Sequence, residues 1–259
     1  MKNKSLAIYN LLSVVAVIYI NYYSVIFGIN GNTVGKLSNR YDNLFTPASF
    51  AFSIWGIIFL SLAIFSIYHI IDAFFLKKNE ETFLKIGYRF LVANLCNCLW
   101  VVVWLYEWTG ISVIVMTVIL VSLLSAILHV DKKSVFGSFS RSALIWFPIL
   151  IYSGWINVAI VANVSAFLSK LGWEGGFLSE AQWAIALVSV ATVLNLVVLF
   201  KKGYWQFALV GIWALFAIYS RHQGSFSSIA TVAAAGAVCI GVSIVFLQIR
   251  KLTASSQQS

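Results

Sequence analysis

The sequence predicts an all-α protein, a polytopic transmembrane helix bundle of about eight spans. Of its 259 residues 61% are hydrophobic and only 10% are charged, whereas a soluble domain carries about 25% charged residues. The few charges separate long apolar stretches, and the basic residues alternate between dense and sparse segments along the chain. This composition leaves too little polar surface to coat a soluble globule. It excludes soluble and disordered classes, and it provides no basic surface on which nucleic acid would dock.

The apolar stretches have the length of membrane spans. A spanning helix needs about 20 largely apolar residues, because the hydrocarbon core is about 30 Å thick and each residue rises about 1.5 Å. Eight spans are therefore predicted, and we expect the first to stay in the mature protein. The stretches without Asp, Glu, Lys or Arg cover residues 5–35, 43–71, 90–106, 108–130, 142–169, 181–200, 203–220 and 222–249.

The distribution of Lys and Arg predicts the orientation. Cytoplasmic loops carry the excess of basic residues. With eight spans and a cytoplasmic N-terminus, only Lys36, Arg40, Lys170 and Arg221 of the 17 basic residues lie outside. We therefore expect an integral, multi-pass protein whose first partner is the lipid bilayer, with both termini in the cytoplasm. A bacterial inner membrane is the expected location.

Two connections contain informative residues. The outer segment at about 28–49, GINGNTVGKLSNRYDNLFTPAS, is rich in Gly, Asn and Ser and is long for a connection between neighbouring helices. It is either a cover over a ligand site or a plain linker. The loop SKLGWEGGFLSEAQW between the fifth and sixth spans is typical of an interfacial turn, with Trp173 and Trp183 at headgroup depth.

Polar and aromatic side chains follow helical spacing inside three spans. An amide inside a span most often makes an interhelical hydrogen bond, and a single aromatic stripe is most often core packing. Three such faces that converge would form a pocket with flat aromatic walls and a few amide groups, which suits a large, rigid, mostly apolar ligand. The second span carries Phe52, Trp55, Phe59 and Leu62; the third carries Asn97, Trp100, Trp104 and Trp108; the fifth carries Pro148, Tyr152, Trp155, Ala159 and Asn163.

At these residues the chain resembles the tryptophan-rich sensory protein and translocator protein family, also called TspO/MBR or the peripheral-type benzodiazepine receptor family. TPASFAFSIW at 46–55 is similar to the family's proline-containing start of the second helix. Asn97-Cys98-Leu99-Trp100 matches the Asn-x-x-Trp of the third helix, and 155–163 matches the Trp-x-x-x-Ala-x-x-x-Asn of the fifth. The order of these motifs agrees with the family's five-helix bundle.

The resemblance implies a ligand cavity. Carried over by position, it is lined by Trp55, Asn97, Trp155 and Ala159, with Trp100 as a further wall and the 28–49 segment closing over it. Phe52 and Asn163 complete the predicted ligand-binding set. In the family this cavity binds porphyrins and related tetrapyrroles, and some bacterial members support light-dependent porphyrin breakdown. The expected ligand is therefore a porphyrin or related tetrapyrrole, with no required cofactor and no catalytic residue assigned.

The resemblance covers residues 6–170 and leaves the rest of the chain outside the five-helix core. We therefore predict a five-helix bundle at 1–170, an additional three-helix transmembrane region at 181–251 and a polar tail at 252–259. In the last span Ala233, Ala237 and Gly241 repeat a small residue every four positions. Such spacing favours close helix packing, either within the chain or across a homodimer.

The sequence offers little for other chemistry. Cys96 and Cys98 are two apart on a helix and point in different directions, so no metal site is predicted. His69 and Asp72, near two lysines, are interpreted as an interfacial charge cluster rather than a proton relay.

Two alternative functions stay open. A secondary transporter of a small metabolite predicts broken helices or mid-membrane charges, which the sequence lacks. An accessory structural subunit would use the small-residue face of the last span.

Overall fold

The computed structural model describes residues 2–41, 43–128, 141–173 and 175–256. Over this described part of the chain the structure is helical, and its β pairing is limited to an isolated bridge between Ile29 and Asn32. The predicted all-α class is confirmed. The α-helices are α1 (Lys2–Ile26), α2 (Val34–Arg40), α3 (Ile54–Ile71), α4 (Glu80–Leu105), α5 (Thr109–Leu128), α6 (Phe147–Lys170), α7 (Glu180–Lys202), α8 (Trp205–His222) and α9 (Ser227–Ser256).

Seven of the helical segments among the described residues are long and apolar enough to cross a membrane. They contain α1, α3, α4, α5, α6, α7 and α9. The remaining predicted span, 203–220, forms the 18-residue helix α8, which is not among the seven. Its ends carry Gln206, Arg221 and His222, and these polar residues lower its hydropathy. The multi-pass architecture is confirmed, with α8 as the less apolar member of the predicted set.

The chain forms two compact units. The first comprises Met1–Asp42 and Ser53–Leu171, and the second comprises Asn43–Phe52 and Gly172–Ser259. The predicted division of the chain between 170 and 181 lies next to the break between Leu171 and Gly172, and the five-helix and three-helix domains stay a prediction. The short segment Asn43–Phe52 is the feature that the sequence did not indicate, because it belongs with the C-terminal helices.

In the first unit the five long helices close into a ring. α1 packs against α3 and α4, α5 packs against α4 and α6, and α6 packs against α3. Short π-helical turns lie at the ends of two of these helices, Asp72–Leu76 after α3 and Ser142–Trp146 before α6. The interior is filled by fully buried large side chains, among them Phe65, Phe83, Phe90, Trp146 and Tyr152.

In the second unit α7, α8 and α9 pack in all three pairs. α7 begins with a capping box between Ser179 and Gln182 and ends at Gly203, whose φ of 73° suits a residue without a side chain. Close approach depends on glycine at two other positions. A Cβ at Gly211 of α8 would lie 2.4 Å from Asn195 Oδ1, and a Cβ at Gly236 of α9 would lie 2.4 Å from Thr192 Oγ1.

The predicted small-residue face of the last span lies on α9. Ala233 is fully buried, and a Cβ at Gly241 would make ordinary contact with Ile212 of α8, at 3.8 Å. At these positions the face packs within the chain. A homodimer stays a prediction.

The segment Asn43–Phe52 runs along α8 inside the second unit. The His222 imidazole lies 2.9 Å from the Leu44 carbonyl, and Arg221 donates to the Thr46 carbonyl. The Ala48 amide donates to the Ala217 carbonyl, and Trp213 Nε1 donates to the Ala51 carbonyl at 3.0 Å. Side chains on the last two turns and the middle of α8 therefore hold the segment at both of its ends.

Candidate functional site

The aromatic faces predicted on the second and fifth spans meet inside the first unit. The Trp55 ring of α3 lies edge-on to the Trp155 ring of α6, with centroids 6.3 Å apart and planes at 82°. It makes a second edge contact with Tyr152, at 6.0 Å and 63°. Phe59, one turn further along α3, stacks on Trp55 at 5.0 Å. Edge-to-face contacts of this kind fix the orientation of the rings, so Trp55 and Trp155 present two perpendicular aromatic surfaces.

The third span joins this cluster through Asn97. Its Nδ2 donates to the Tyr152 hydroxyl at 3.0 Å, and its Oδ1 accepts from Asn21 Nδ2 of α1, also at 3.0 Å. Both Asn97 and Tyr152 are buried. The Tyr152 hydroxyl accepts the bond from Asn97 and keeps its own proton for donation. Tyr152 is the polar group that the predicted site set left out, although its spacing from Trp155 placed it on the same face.

Trp100 and Asn163 form a second junction between α4 and α6. Trp100 Nε1 donates to Asn163 Oδ1 at 2.7 Å, and Asn163 Nδ2 donates to Ser112 Oγ of α5 at 2.8 Å. The Ser112 hydroxyl in turn donates to the Thr109 carbonyl. This series of hydrogen bonds joins α4, α5 and α6 near one end of the ring. Both polar atoms of the Asn163 side chain therefore bond other side chains in this structure.

Two predicted face residues lie elsewhere. Phe52 belongs to the second unit and sits in the short 3-10 helix Ser49–Ser53. Because α3 begins at Ile54, the helical spacing that grouped Phe52 with Trp55 does not extend back to it. Trp108 follows the end of α4 at Leu105 and is 55% exposed, so it leaves the face of Asn97 and Trp100. Ala159 is one turn beyond Trp155 on α6.

Two buried donors, one on α4 and one on α6, have no acceptor within the described part of the chain. Trp104 stacks on Trp100 with centroids 5.9 Å apart, and its Nε1 has no hydrogen-bond partner. Asn157 Nδ2 of α6 also lacks one. A buried donor without an acceptor costs about 1–3 kcal/mol. Each of these groups is thus able to bond an acceptor on a bound molecule or a water.

The segment after α1 covers the end of the ring where α4 turns into α5. Asn32 Nδ2 donates to the Leu105 carbonyl at 3.2 Å, and Arg40 Nη1 bonds Glu107 Oε1 at 2.6 Å. The Tyr41 hydroxyl donates to Glu107, and Lys170 Nζ donates to the Glu107 carbonyl. The predicted 28–49 cover is therefore divided, with 28–41 bonded to the first unit and 43–52 held in the second.

The groups around Glu107 shift the pKa values of Glu107 and Tyr41. The hydrogen bond from Tyr41, with further bonds from Arg40 and Asn32, holds the pKa of Glu107 below its usual range. Burial, and then the bond to the Glu107 carboxylate, raises the pKa of Tyr41. Glu107 itself has a left-handed backbone, φ 61°. The turn thus presents an ionised carboxylate to three donors of the covering segment.

The predicted interfacial cluster of His69 and Asp72 is wrong. Both side chains are fully buried. His69 is held between Asn3 and Asn10 of α1, and Asp72 accepts the Lys78 and Asn79 amides at the start of α4. The sequence spacing from Lys77 and Lys78 suggested exposure, but the π-helical turn Asp72–Leu76 folds the chain back and encloses the carboxylate. Among the described residues no group of three His, Cys, Asp or Glu side chains is placed to hold a metal ion.

Comparison with known proteins adds one match. The family model described as TSPO-like protein matches residues 7–246. Among curated proteins and among solved structures no match is found. The match extends beyond the sequence resemblance, which ends near residue 170, and includes α7, α8 and most of α9.

Proposed function

The chain belongs to the TSPO-like protein family, and from that premise we propose that its first unit binds a large, planar, mostly apolar ligand of the porphyrin or tetrapyrrole class. Family membership and the seven membrane-capable helices make it an integral, multi-pass membrane protein of the sensory or translocator type. The ligand class is the further step. It rests on the residues between α3, α4 and α6.

The perpendicular pair of Trp55 and Trp155 is the observation that carries the proposal. Two indole surfaces at 82°, on different helices, offer one face for stacking and one edge for contact with a flat ring system. Trp55 is only partly buried, whereas Trp155 is 2% exposed. A planar ligand would therefore approach from the Trp55 side and stack between the two helices.

Polar groups on α4 and α6 suit the substituents of such a ligand. The Tyr152 hydroxyl keeps a proton to donate, and Trp104 Nε1 and Asn157 Nδ2 are donors without acceptors. Carboxylate or carbonyl groups on the ligand would satisfy them. Ala159, one turn beyond Trp155, is small and partly buried, and in this proposal its methyl group leaves room for the ligand where a bulky residue would not.

The proposed mechanism is binding by stacking and burial. Apolar ring area removed from water or lipid headgroups contributes the affinity, and the amide and hydroxyl groups set the orientation. In this mechanism ligand binding changes the conformation of the protein, and sensing or transport depends on that change. Light-driven breakdown of a bound porphyrin is a further activity that this arrangement of tryptophans would support.

Titration of the purified chain with protoporphyrin IX tests the proposal. The Soret absorbance band and tryptophan quenching are followed for the wild type, a Trp55→Phe/Trp155→Phe double variant and Trp108→Phe. We expect Kd to rise about tenfold in the double variant, since two aromatic contacts of about 0.5–1.5 kcal/mol each are weakened. Trp108 is exposed in the α4–α5 turn, so its variant should bind like the wild type.

A second variant separates shape from ring chemistry. Ala159→Phe leaves both tryptophans in place and fills the space beside Trp155, so we expect it to abolish saturable binding. Val190→Phe, at an exposed position on α7 of the second unit, is the control. A wild type that shows no saturable binding, or a double variant with the wild-type Kd, sinks the proposal.

A further inference from the structure

Buried polar side chains follow one face of α1 through the first unit. Asn3, Asn10, Ser13 and Ser24 of this helix are buried, and Asn21 is partly buried. From Asn3 to Asn21 the helix rises about 27 Å, close to the thickness of about 30 Å of the hydrocarbon core. Ionisable groups inside a membrane are expensive and mark functional paths, and the imidazole of His69 is bonded to this face.

The first part of this face is bonded to α3 through His69. Asn10 Nδ2 lies 3.3 Å from His69 Nδ1, and His69 Nε2 lies 3.1 Å from Asn3 Oδ1. An amide donor at Nδ1 and a carbonyl acceptor at Nε2 correspond to a neutral imidazole protonated at Nε2. The ring stacks on Phe83 at 3.9 Å and 6°. It therefore accepts at one nitrogen and donates at the other.

The second part is bonded to α4 and α6. Asn94 Nδ2 donates to Ser13 Oγ at 3.0 Å, and Ser13 Oγ donates to the Asn10 carbonyl at 2.8 Å. Asn97 is three residues after Asn94, on the adjacent turn of the same helix face. Its bonds to Asn21 and Tyr152 complete the series. We call the set Asn3, His69, Asn10, Ser13, Asn94, Asn97, Asn21 and Tyr152 the polar track.

Two acceptors in the middle of the polar track have no hydrogen-bond partner among the residues that the structure describes. Asn10 Oδ1 and Asn94 Oδ1 are buried without a hydrogen bond, and both residues are fully buried. Buried polar atoms are paired in the great majority of cases, by protein or by ordered water. A water molecule has two donors, which are what two unpaired carbonyl oxygens require.

We propose that the polar track binds ordered water at Asn10 and Asn94 and conducts protons through the first unit between His69 and Tyr152. Each end is a side chain that exchanges protons, an imidazole and a phenol. The amides and the Ser13 hydroxyl between them orient the water.

Proton flux into liposomes tests this proposal. The full-length protein is reconstituted into vesicles that contain a pH-sensitive dye, with potassium and valinomycin to hold the membrane potential, and the outside is acidified. We expect wild-type flux above that of protein-free vesicles and a flux about tenfold lower for Asn94→Leu, the factor for one lost hydrogen bond of about 1.4 kcal/mol.

The matched control is Asn195→Leu. Asn195 is also a buried amide with an unpaired Oδ1, but it lies on α7 in the second unit. Its variant should conduct like the wild type. Wild-type flux equal to that of empty vesicles, or equal flux in wild type and Asn94→Leu, overturns the proposal. Protoporphyrin binding is measured separately, so failure here leaves the ligand proposal standing.

Two milder substitutions test the same proposal if a leucine variant does not fold. Ser13→Ala removes the hydroxyl that Asn94 bonds, whereas Ser66→Ala removes a hydroxyl that bonds only the Ala63 carbonyl of its own helix. The Ser13 variant should conduct more slowly than the Ser66 variant. Equal rates for the two, with both proteins eluting as folded species, contradict the polar track.

Discussion

The two units use polar residues in different ways. In the first, side chains bond from helix to helix, as Asn97 does to Tyr152 and Trp100 to Asn163. In the second, Asn195 and Thr192 bond carbonyls of their own helix, and glycines allow the helices to approach these side chains. Cross-helix polar networks specify one arrangement and supply groups to a ligand. Glycine-mediated contact maximises packing between membrane helices. The proposed binding site uses the cross-helix polar groups of the first unit, whereas in the second unit Gly211 and Gly236 lie where polar side chains of α7 approach most closely.

The largest loss of stability in the second unit is expected for Gly236→Ala. The new Cβ would lie 2.4 Å from Thr192 Oγ1 and 3.2 Å from Leu215 Cδ1, between two helices that both have to move. We expect a loss of about 1–3 kcal/mol in the free energy of unfolding. Hydrogen exchange is measured by mass spectrometry in the variant and in the wild type. The substitution should accelerate exchange in α9 more than in α4.

Gly241→Ala on the same helix is the control for this substitution. Its Cβ would meet only Ile212, at 3.8 Å, and Ala is the better helix former by about 1 kcal/mol. Its thermal stability should equal or exceed that of the wild type. Equal destabilisation by the two variants would show that helix approach at Gly236 is not tight.

Trp213→Phe should loosen the segment Asn43–Phe52 by about 1 kcal/mol, because the bond from Nε1 to the Ala51 carbonyl is lost while the ring position is kept. Faster exchange of the Ala48 amide, which bonds Ala217, measures this. Trp183→Phe removes a similar bond, from Nε1 to the Gly175 carbonyl, elsewhere in the same unit. If it accelerates Ala48 exchange equally, the segment is not held by Trp213.

The smallest effect is expected at the covering segment of the first unit. Glu107→Gln weakens the bonds from Arg40 and Tyr41, and exposed ion pairs of this kind contribute about 0.2–1 kcal/mol. Trypsin should cleave after Lys36 and Arg40 more quickly in this variant. Glu81→Gln, which removes the exposed pair with Lys85 on α4, should leave the cleavage rate unchanged.

The pH dependence of the same contact follows from the two shifted groups. The folded pKa of Glu107 is lowered, so its contribution is fully present above the ordinary carboxyl pKa of about 4.3 and is lost as pH falls through the lowered pKa. The pKa of Tyr41 is raised, so its contribution is present below about pH 10 and is lost above that. Exchange of the 33–41 amides, corrected for intrinsic rates, should be slowest between these limits. A flat profile contradicts the role of Glu107.

Helical spacing predicted which residues share a face, and the structure shows how far that information reaches. It grouped Trp55 with Phe59 on α3 and Trp155 with Tyr152 on α6. Trp55 stacks on Phe59 and makes edge contacts with both of the α6 rings. Spacing within one helix does not say which faces of different helices meet, so Asn21 as partner of Asn97 was not predicted. It also fails where a helix ends, as at Trp108 beyond Leu105 and at Phe52 before Ile54.

Charge patterns had a similar limit. They separated seven of the eight predicted spans, and 203–220 forms α8, which is not among the membrane-capable helices. The lysines after Asp72 suggested an exposed cluster, and the π-helical turn encloses the carboxylate instead. Nothing in the composition of 43–52 distinguishes a segment of the second unit from a plain linker. Its position depends on hydrogen bonds from α8, which is more than 150 residues away in the chain.

The most direct measurement of the central claim is the location of tryptophan oxidation under light. Protoporphyrin IX bound to the full-length protein generates singlet oxygen where it sits, and peptide mass spectrometry identifies the tryptophans that are oxidised first. We expect early oxidation of Trp55 and of the buried Trp155, ahead of Trp183 and Trp213 in the second unit, and loss of this preference in Ala159→Phe. Oxidation that follows exposure alone, or that is concentrated on Trp183 and Trp213, would contradict it.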